Sequence, residues 1–382
     1  MRRISYVMIL TGVVLIIAGV ALITVIVPDL AVFPDDVDVV REFDVEYLTL
    51  LNPETLEFIE IGPEEADTVI IQRHVMVEEV DGDGTLIFEG QTLLHDDQPL
   101  QHVEFRYALD RRELTPLEDH PWEGAPGLWE REGFVIGWEI GVEKRDYTGW
   151  NEDTRTPVDL VYAGEEQING VTAYKFTSSR DPEPIHPDQV EVLGLIPELT
   201  MEEVGQLASQ LDVDDPMMGM ILRTALPGLM EAAVRETQNI PDDVEEVTVP
   251  VQFTYDYDGQ YWVEPTTGAL LNTVKYEHRA ATFPPEILEH LASSAGNLGV
   301  DSEMITDLLP LTVSEFRYTG TPESISGAIA DAQESKDQLT LFGTIVPIVL
   351  AAFGGALILA GVLVYLRAAP PLMTQTNAND RR

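Results

Sequence analysis

The chain has no cysteine among its 382 residues. That excludes disulfides, thiolate nucleophiles and cysteine-ligated metal or iron–sulfur centres. Lysine is nearly as scarce. Lys144, Lys175, Lys275 and Lys336 are all there are, and arginine supplies the rest of the 22 basic residues. No Asn-x-Ser/Thr sequon occurs, so N-glycosylation is not expected. Against the 22 bases stand 67 acids, a net charge of −45. Such a balance excludes a surface that neutralises nucleic-acid phosphates. It does not describe a disordered acidic tail either, because 45% of the residues are hydrophobic and the acids spread through the whole middle of the chain. Excess carboxylate with depleted lysine predicts a halophilic protein, since concentrated salt screens self-repulsion.

Catalytic signatures are also missing. The seven histidines (His74, His95, His102, His120, His186, His278 and His290) form neither HExxH nor another two-histidine metal spacing. There is no GxSxG elbow, SxxK, P-loop or dinucleotide fingerprint. Carboxylate pairs abound, but 67 acids supply them by chance, so they carry no weight for glycosidase chemistry. The expectation is a non-enzymatic protein with no cofactor, no metal and no nucleic-acid partner.

What is present is segregated. No charge occurs from Ile4 to Pro28 or from Gln338 to Leu366. Each run is long enough to cross about 30 Å of hydrocarbon as a helix. The first is about twice a normal signal-peptide h-region and no Ala-x-Ala site follows, so we expect an uncleaved anchor. Arg2 and Arg3 precede the first run, and Arg367, Arg381 and Arg382 follow the second. The positive-inside rule then puts both termini in the cytoplasm and the middle outside. The expected division is a cytoplasmic N-terminus (1–5), a first transmembrane helix (6–27), an extracytoplasmic domain (28–337), a second transmembrane helix (338–366) and a cytoplasmic tail (367–382). Ala352, Ala356 and Ala360 recur every fourth residue, which predicts a face for close packing on the first helix or on a second copy. Pro347 predicts a kink.

The middle reads first as strands. Val69–Val80 and Thr85–Leu94 flank Asp81-Gly82-Asp83-Gly84, a hairpin signal that lacks the third ligand and distal glutamate of a calcium loop. Four of the five tryptophans (Trp122, Trp129, Trp138 and Trp150) lie close together in sequence. They predict core packing rather than a carbohydrate platform. Asn169-Gly170 and Asp258-Gly259 each predict a two-residue hairpin turn, and a further strand is expected after Gly268.

Residues of about 187–240 interrupt this pattern as a helical cap. Thr200 and Glu203 fit a capping box, and Met201, Val204, Leu207 and Leu211 recur at helical spacing. A second helix is expected after Pro216, broken at Pro227-Gly228. Met201, Met217, Met218, Met220 and Met230 fall in the cap, and flexible thioethers suit an adaptable apolar surface. Ordinary subdomain core is the competing use of the same residues. Another helical insert is expected over Pro285–Leu309, then a strand, then a helix running from Pro322 into the second apolar segment. The fold class is therefore α+β: a β-rich ectodomain, barrel-like or with a strongly curved antiparallel sheet, carrying an inserted helical cap and flanked by terminal transmembrane helices.

Asp110-Arg111-Arg112, the stretch GWEIGVEKRDYTGWNEDT at Gly137–Thr154, Gly164-Glu165-Glu166, Ile168-Asn169-Gly170, Ala173-Tyr174-Lys175-Phe176 and the run Tyr261–Gly268 carry a resemblance. In these motifs the chain resembles the two-helix envelope proteins of the porin PorA family. The resemblance covers most of the chain and implies a cell-envelope location, but no catalytic residue. Nothing here reads as a membrane β-barrel, which needs many strands with a lipid-facing apolar side. The architecture also resembles the class B scavenger receptors and lysosomal integral membrane proteins, whose barrel encloses a lipid-accepting tunnel. Asp110, Arg111, Arg112, Lys144, Arg145 and Asp146 are expected to form a structural ion-pair network.

The leading expectation is a two-pass cell-surface protein that binds or passes a lipid or other apolar ligand. The alternatives are a structural or assembly component of the cell envelope that forms a homo-oligomer through its transmembrane helices, and an enzyme acting on envelope glycans.

Overall fold

The computed structural model describes residues 2–65, 68–210, 216–241, 243–297 and 309–367. They divide into a helical unit, within residues 2–32 and 333–367, and a β unit, within residues 33–332. The tail beyond Arg367 and the end of the Pro285–Leu309 insert lie outside the described residues.

In the helical unit, α1 (Arg2–Ala21) continues through a π-helical turn at Leu22–Ile26 into α2 (Val27–Leu30). Near the other end of the chain, α7 (Pro322–Thr340) leads through a second π-turn at Leu341–Ile345 into α8 (Val346–Arg367), with no break from Pro322 to Arg367. Both π-turns precede a proline, Pro28 and Pro347. A proline ring clashes with the carbonyl four residues back, and the wider turn relieves the clash. Both helices are long and apolar enough to cross a membrane.

The two helices pack against each other along small residues spaced by seven. Ser5, Gly12 and Gly19 are the buried positions of α1, and Pro347, Gly354 and Gly361 those of α8. The Ser5 hydroxyl donates to the Gly361 carbonyl at 2.6 Å, and Gly19 lies on Pro347. The contact with α1 does not use the expected alanine face. Ala352 and Ala356 are exposed and Ala360 is half-buried. Backbone contact needs residues with no side chain at all, and Gly354 and Gly361 supply them.

The β unit is built on one large antiparallel sheet curled into a half-barrel. Its strands are β1 (Asp38–Leu51), β2 (Phe58–Ile61), β3 (Val69–Asp81), β4 (Gly84–His95), β5 (Gln98–Asp110), β6 (Tyr147–Asn151), β7 (Thr156–Ile168), β8 (Val171–Pro184), β11 (Gln252–Val263), β12 (Leu270–Thr282) and β13 (Leu311–Gly320). A separate ribbon pairs β9 (Glu198–Thr200) with β10 (Thr248–Pro250). The sheet order is β5-β4-β3-β1-β13-β12-β11-β8-β7-β6, with β2 beside β1. The first and last strands are therefore neighbours: Phe43 pairs with Gly320.

Several turns follow the sequence signals. Gly82 has φ +60° between β3 and β4, and Asn169 and Gly170 have φ +47° and +85° between β7 and β8. Asp258-Gly259 departs from them. β11 runs straight through it, and Gly259 pairs with Lys275 on one side and Ser178 on the other. The missing side chain makes room for the Tyr261 ring instead: a Cβ at Gly259 would stand 2.6 Å from the tyrosine oxygen. The turn lies further on, where the buried Glu264 carboxylate accepts the Thr266 and Thr267 amides, each at 2.8 Å.

The cap is inserted between β8 and β11 and consists of α3 (Pro187–Val192), α4 (Met201–Gln210) and α5 (Pro216–Gln238) with the small ribbon. α6 (Pro285–Asn297) joins it from the β12–β13 connection. The capping box forms: Glu203 accepts the Thr200 amide at 2.7 Å, and the Thr200 hydroxyl accepts the Glu203 amide at 3.3 Å. α5 does not break at Pro227-Gly228. Pro227 packs on Gly205 of α4, so tertiary contact holds the helix through the proline. Val204, Met230, Val234, Ile287 and Leu291 form the core of this subdomain.

Candidate functional site

The β unit holds two neighbouring cavities of different character, and both follow from strand alternation. The first, of about 210 Å³, lies against the concave face of the sheet; its wall mixes charged groups with aromatic and aliphatic ones, and its ion pairs make it the polar cavity of the two. The second, of about 290 Å³, lies between the sheet and the cap and is mostly apolar. Leu193 and Arg279 line both.

At the polar cavity, residues two apart on one strand point the same way. Lys275, Glu277 and Arg279 of β12 therefore enter together, beside Tyr255 and Tyr257 of β11 and opposite Arg73 of β3 and Glu89 of β4. Glu277 sits between two cations, 2.5 Å from Lys275 Nζ and 3.1 Å from Arg279 Nη2. Arg279 also grips Asp153 in a bidentate pair of 2.6 and 3.0 Å. Arg73 does the same to Glu89, at 2.6 and 3.2 Å, and Glu89 further accepts from Tyr107 and Gln91. Arg131 holds Glu152 at 2.6 Å, with the Trp129 indole donating to the other carboxylate oxygen at 3.1 Å.

The electrostatics follow this pairing. Burial acts to raise the pKa of Glu277, but Lys275 and Arg279 outweigh it and hold the carboxyl down at about 2. For Glu89 burial is again opposed and outweighed, here by Arg73, so its pKa is lowered. At Glu152 burial prevails over Arg131, and the pKa is raised. Burial would lower the Lys275 pKa, yet Glu277 pushes it well above the ordinary lysine value. Each cavity carboxylate is thus committed to a cation, which is how buried charges are held.

Leu50, Leu56, Leu199, Leu207, Phe253 and Val313 are among the apolar residues that line the second cavity. They come from β1, the loop after it, β9, α4, β11 and β13. Hydrogen bonds fasten the cap over the cavity. Gln101 of β5 donates to the Leu193 carbonyl at 3.2 Å. Gln206 and Gln210 of α4 donate to the Thr55 and Leu56 carbonyls. Leu56 has φ +53° and is 3% exposed, so the loop holds it inward in an uncommon conformation.

Of the residues expected to form a methionine surface, the three whose side chains are described, Met201, Met220 and Met230, are not gathered into one. Met230 is fully buried in the cap core, Met201 packs against that core, and Met220 is exposed. The side chains of Met217 and Met218 lie outside the described residues. A helix of this length divides its methionines between core and solvent, because its faces differ. The tryptophans disperse too. Trp138 stacks on Phe176 at 5.3 Å and lines the polar cavity with Trp150. Trp129 lies beneath Arg131 and Arg155.

The expected ion-pair network does not form as one unit. Arg112 reaches Asp83, Lys144 reaches Glu165, and Arg145 reaches Glu139 and Glu143, all near the surface. Asp110 caps its own turn by accepting the Arg112 and Glu113 amides, and Asp146 accepts the Tyr162 amide. The buried network lies on β12 instead. Its signal was the alternation Lys275-x-Glu277-x-Arg279, containing one of only four lysines. Among the described residues no group of three histidine or acidic side chains is placed to hold a metal ion.

Two apolar terminal helices and a curled half-barrel domain with a capped cavity fit a membrane-anchored envelope protein. The chain belongs to the Porin PorA family, whose family model matches residues 4–363. Two proteins named Porin PorA are similar to it. That of Corynebacterium resistens is 24% identical over 328 residues, covering 78% of this chain and 75% of its own length. That of Corynebacterium amycolatum is 24% identical over 318 residues, with the same coverage. The motifs of the resemblance meet in the fold. Gly268 of the Tyr261–Gly268 run lies backbone to backbone on Trp138 of the Gly137–Thr154 stretch, and the Trp262 indole donates to Glu166 at 2.6 Å.

Proposed function

We propose that this is a two-pass, non-enzymatic cell-surface protein that binds the apolar tail of a lipid in the cavity beneath its cap. The observation that carries the proposal is that cavity of about 290 Å³ with its leucine-rich wall. It is at the small end of the ligand-pocket range, so it suits part of an acyl chain with the head group left outside. Both termini are cytoplasmic on this reading, by the positions of Arg2, Arg3 and Arg367. The relatives' name, porin, suggests passage of a solute. Here passage would mean transfer of an apolar ligand through the β unit rather than flow through a membrane barrel. The outward positions of β7 include Asp159 and Glu165, both exposed, and charge there does not suit lipid contact. The pairing of each carboxylate that lines the polar cavity (Glu89, Glu152, Asp153 and Glu277) with a cation supports a binding role over hydrolysis of glycans.

Native mass spectrometry of the full chain tests this. The wild type should retain lipid, and Ala281→Phe, which adds a ring to the cavity wall, should retain less. Equal retention would contradict the proposal.

A second reading is a scaffold that oligomerises through α8. The exposed Ala352 and Ala356 favour it, since α1 does not use them. Ala352→Leu with Ala356→Leu should then abolish a cross-linkable oligomer.

A further inference from the structure

We propose that the polar cavity is a second binding site, for a small neutral polyhydroxylated molecule the size of one sugar ring. Charge, unpartnered polar atoms, wall chemistry and size each point that way.

The charges close on themselves. Arg73, Lys275 and Arg279 line the cavity with Glu89, Glu152, Asp153 and Glu277, and Arg131, bonded to Glu152, supplies the fourth cation. An anion or a cation would meet both signs in equal number and gain little. Yet the wall is not inert. Lys275 and Arg73 keep 19% and 21% of their side-chain surface accessible, although both lie deep within the sheet. Lys275 makes one ion pair and has further ammonium protons to donate.

Other polar groups on the wall have no partner. Gln189 is 1% exposed, and neither its amide nitrogen nor its amide oxygen is hydrogen-bonded. The hydroxyl of Tyr255, 0% exposed, and the indole nitrogens of Trp138 and Trp150 are likewise unpartnered. An unpaired buried polar group is costly. Gln189 needs both an acceptor and a donor, and a hydroxyl is both at once. An acyl chain would satisfy none of these groups, so the occupant differs from that of the apolar cavity.

The remaining wall is aromatic. Tyr255, Tyr257, Tyr261, Trp138 and Phe134 offer flat apolar faces among the polar groups, which suits a ring with hydroxyl edges and C–H faces. A volume of about 210 Å³ equals on the order of seven waters, which admits one ring and not an oligosaccharide.

The test uses the full chain in high salt, in a detergent without a sugar head group. Saturation-transfer NMR and calorimetry are run with glucose, galactose and myo-inositol, and with phosphate and choline as charged arms. At least one neutral polyol should bind saturably, and neither ion should compete. Gln189→Leu removes an unpartnered amide without adding charge, so it should fold. It should weaken binding at least about tenfold, the effect of one lost hydrogen-bonding group. Trp150→Phe keeps the ring and loses the donor, and should weaken binding in the same direction at an unchanged melting temperature. The proposal is overturned if no polyol binds the wild type, if phosphate or choline displaces it, or if both variants bind as the wild type does.

Discussion

Gly12 and Gly354 meet backbone against backbone: a Cβ built on either would collide with the carbonyl oxygen of the other. With Ser5–Gly361 one turn pair away and Gly19–Pro347 on the other side, this contact fixes how α1 and α8 pair. Gly354→Leu should therefore separate the helices, at about 1–3 kcal/mol for an overpacked contact. Faster proteolysis of the full chain in detergent is the measurement. Ala356→Leu, on the exposed side, should leave a single chain's proteolysis unchanged.

The Lys275–Glu277–Arg279 cluster predicts acid sensitivity. The Glu277 carboxyl is lowered from near 4.5 to about 2 in the fold. A depressed carboxylate contributes stability that is present above the unfolded pKa and lost as pH falls through the folded one. The loss should thus run from about pH 4.5 to about pH 2 and amount to about 3 kcal/mol. Glu152 titrates in the opposite sense, since its pKa is raised. Comparing urea midpoints of wild type and Glu277→Gln across that window isolates the Glu277 contribution. The variant should be less stable at pH 7 and show a flatter acid limb.

Gly268 and Gly82 both have positive φ, +73° and +60°, but only Gly268 is hemmed in. A Cβ there would collide with the Trp138 and Glu139 carbonyls, whereas Gly82 has nothing within 4 Å. Gly82→Ala should cost about 1 kcal/mol from backbone strain alone. Gly268→Ala should cost roughly 3 kcal/mol or more, because the loop carrying Trp138 must shift as well. Thermal melts of the two variants make the comparison.

Residues 28–337 carry 66 of the 67 acids and 17 of the 22 bases, a net charge of −49. Screening of that charge should raise the melting temperature steeply between about 0.1 M and about 3 M potassium chloride. A flat response would refute the salt argument.

The strands and both apolar helices were legible because each has a local cause. Alternation gave β3, β4 and β5, Asn169-Gly170 gave its turn, and Thr200 with Glu203 gave the start of α4. What failed had tertiary causes. Asp258-Gly259 has the composition of a turn, yet pairing on both edges and the Tyr261 ring keep it in a strand. Pro227 should end a helix, yet packing on Gly205 carries α5 through it. The α1–α8 contact uses a spacing of seven, visible as Ser5, Gly12 and Gly19, while the more obvious spacing of four drew attention to Ala352, Ala356 and Ala360. The polar cavity was hidden because acids are everywhere in this chain. Only the curl of the sheet shows which of them face a cation indoors.

A photoactivatable fatty acid, cross-linked to the full chain in a lipid bilayer and mapped by peptide mass spectrometry, tests the apolar-ligand proposal most directly. Labels are predicted on the segments around Leu195–Leu199 and Val251–Phe253, which line the apolar cavity, and Ala281→Phe should remove them. Labels confined to α1 and α8, equal in wild type and variant, would contradict it.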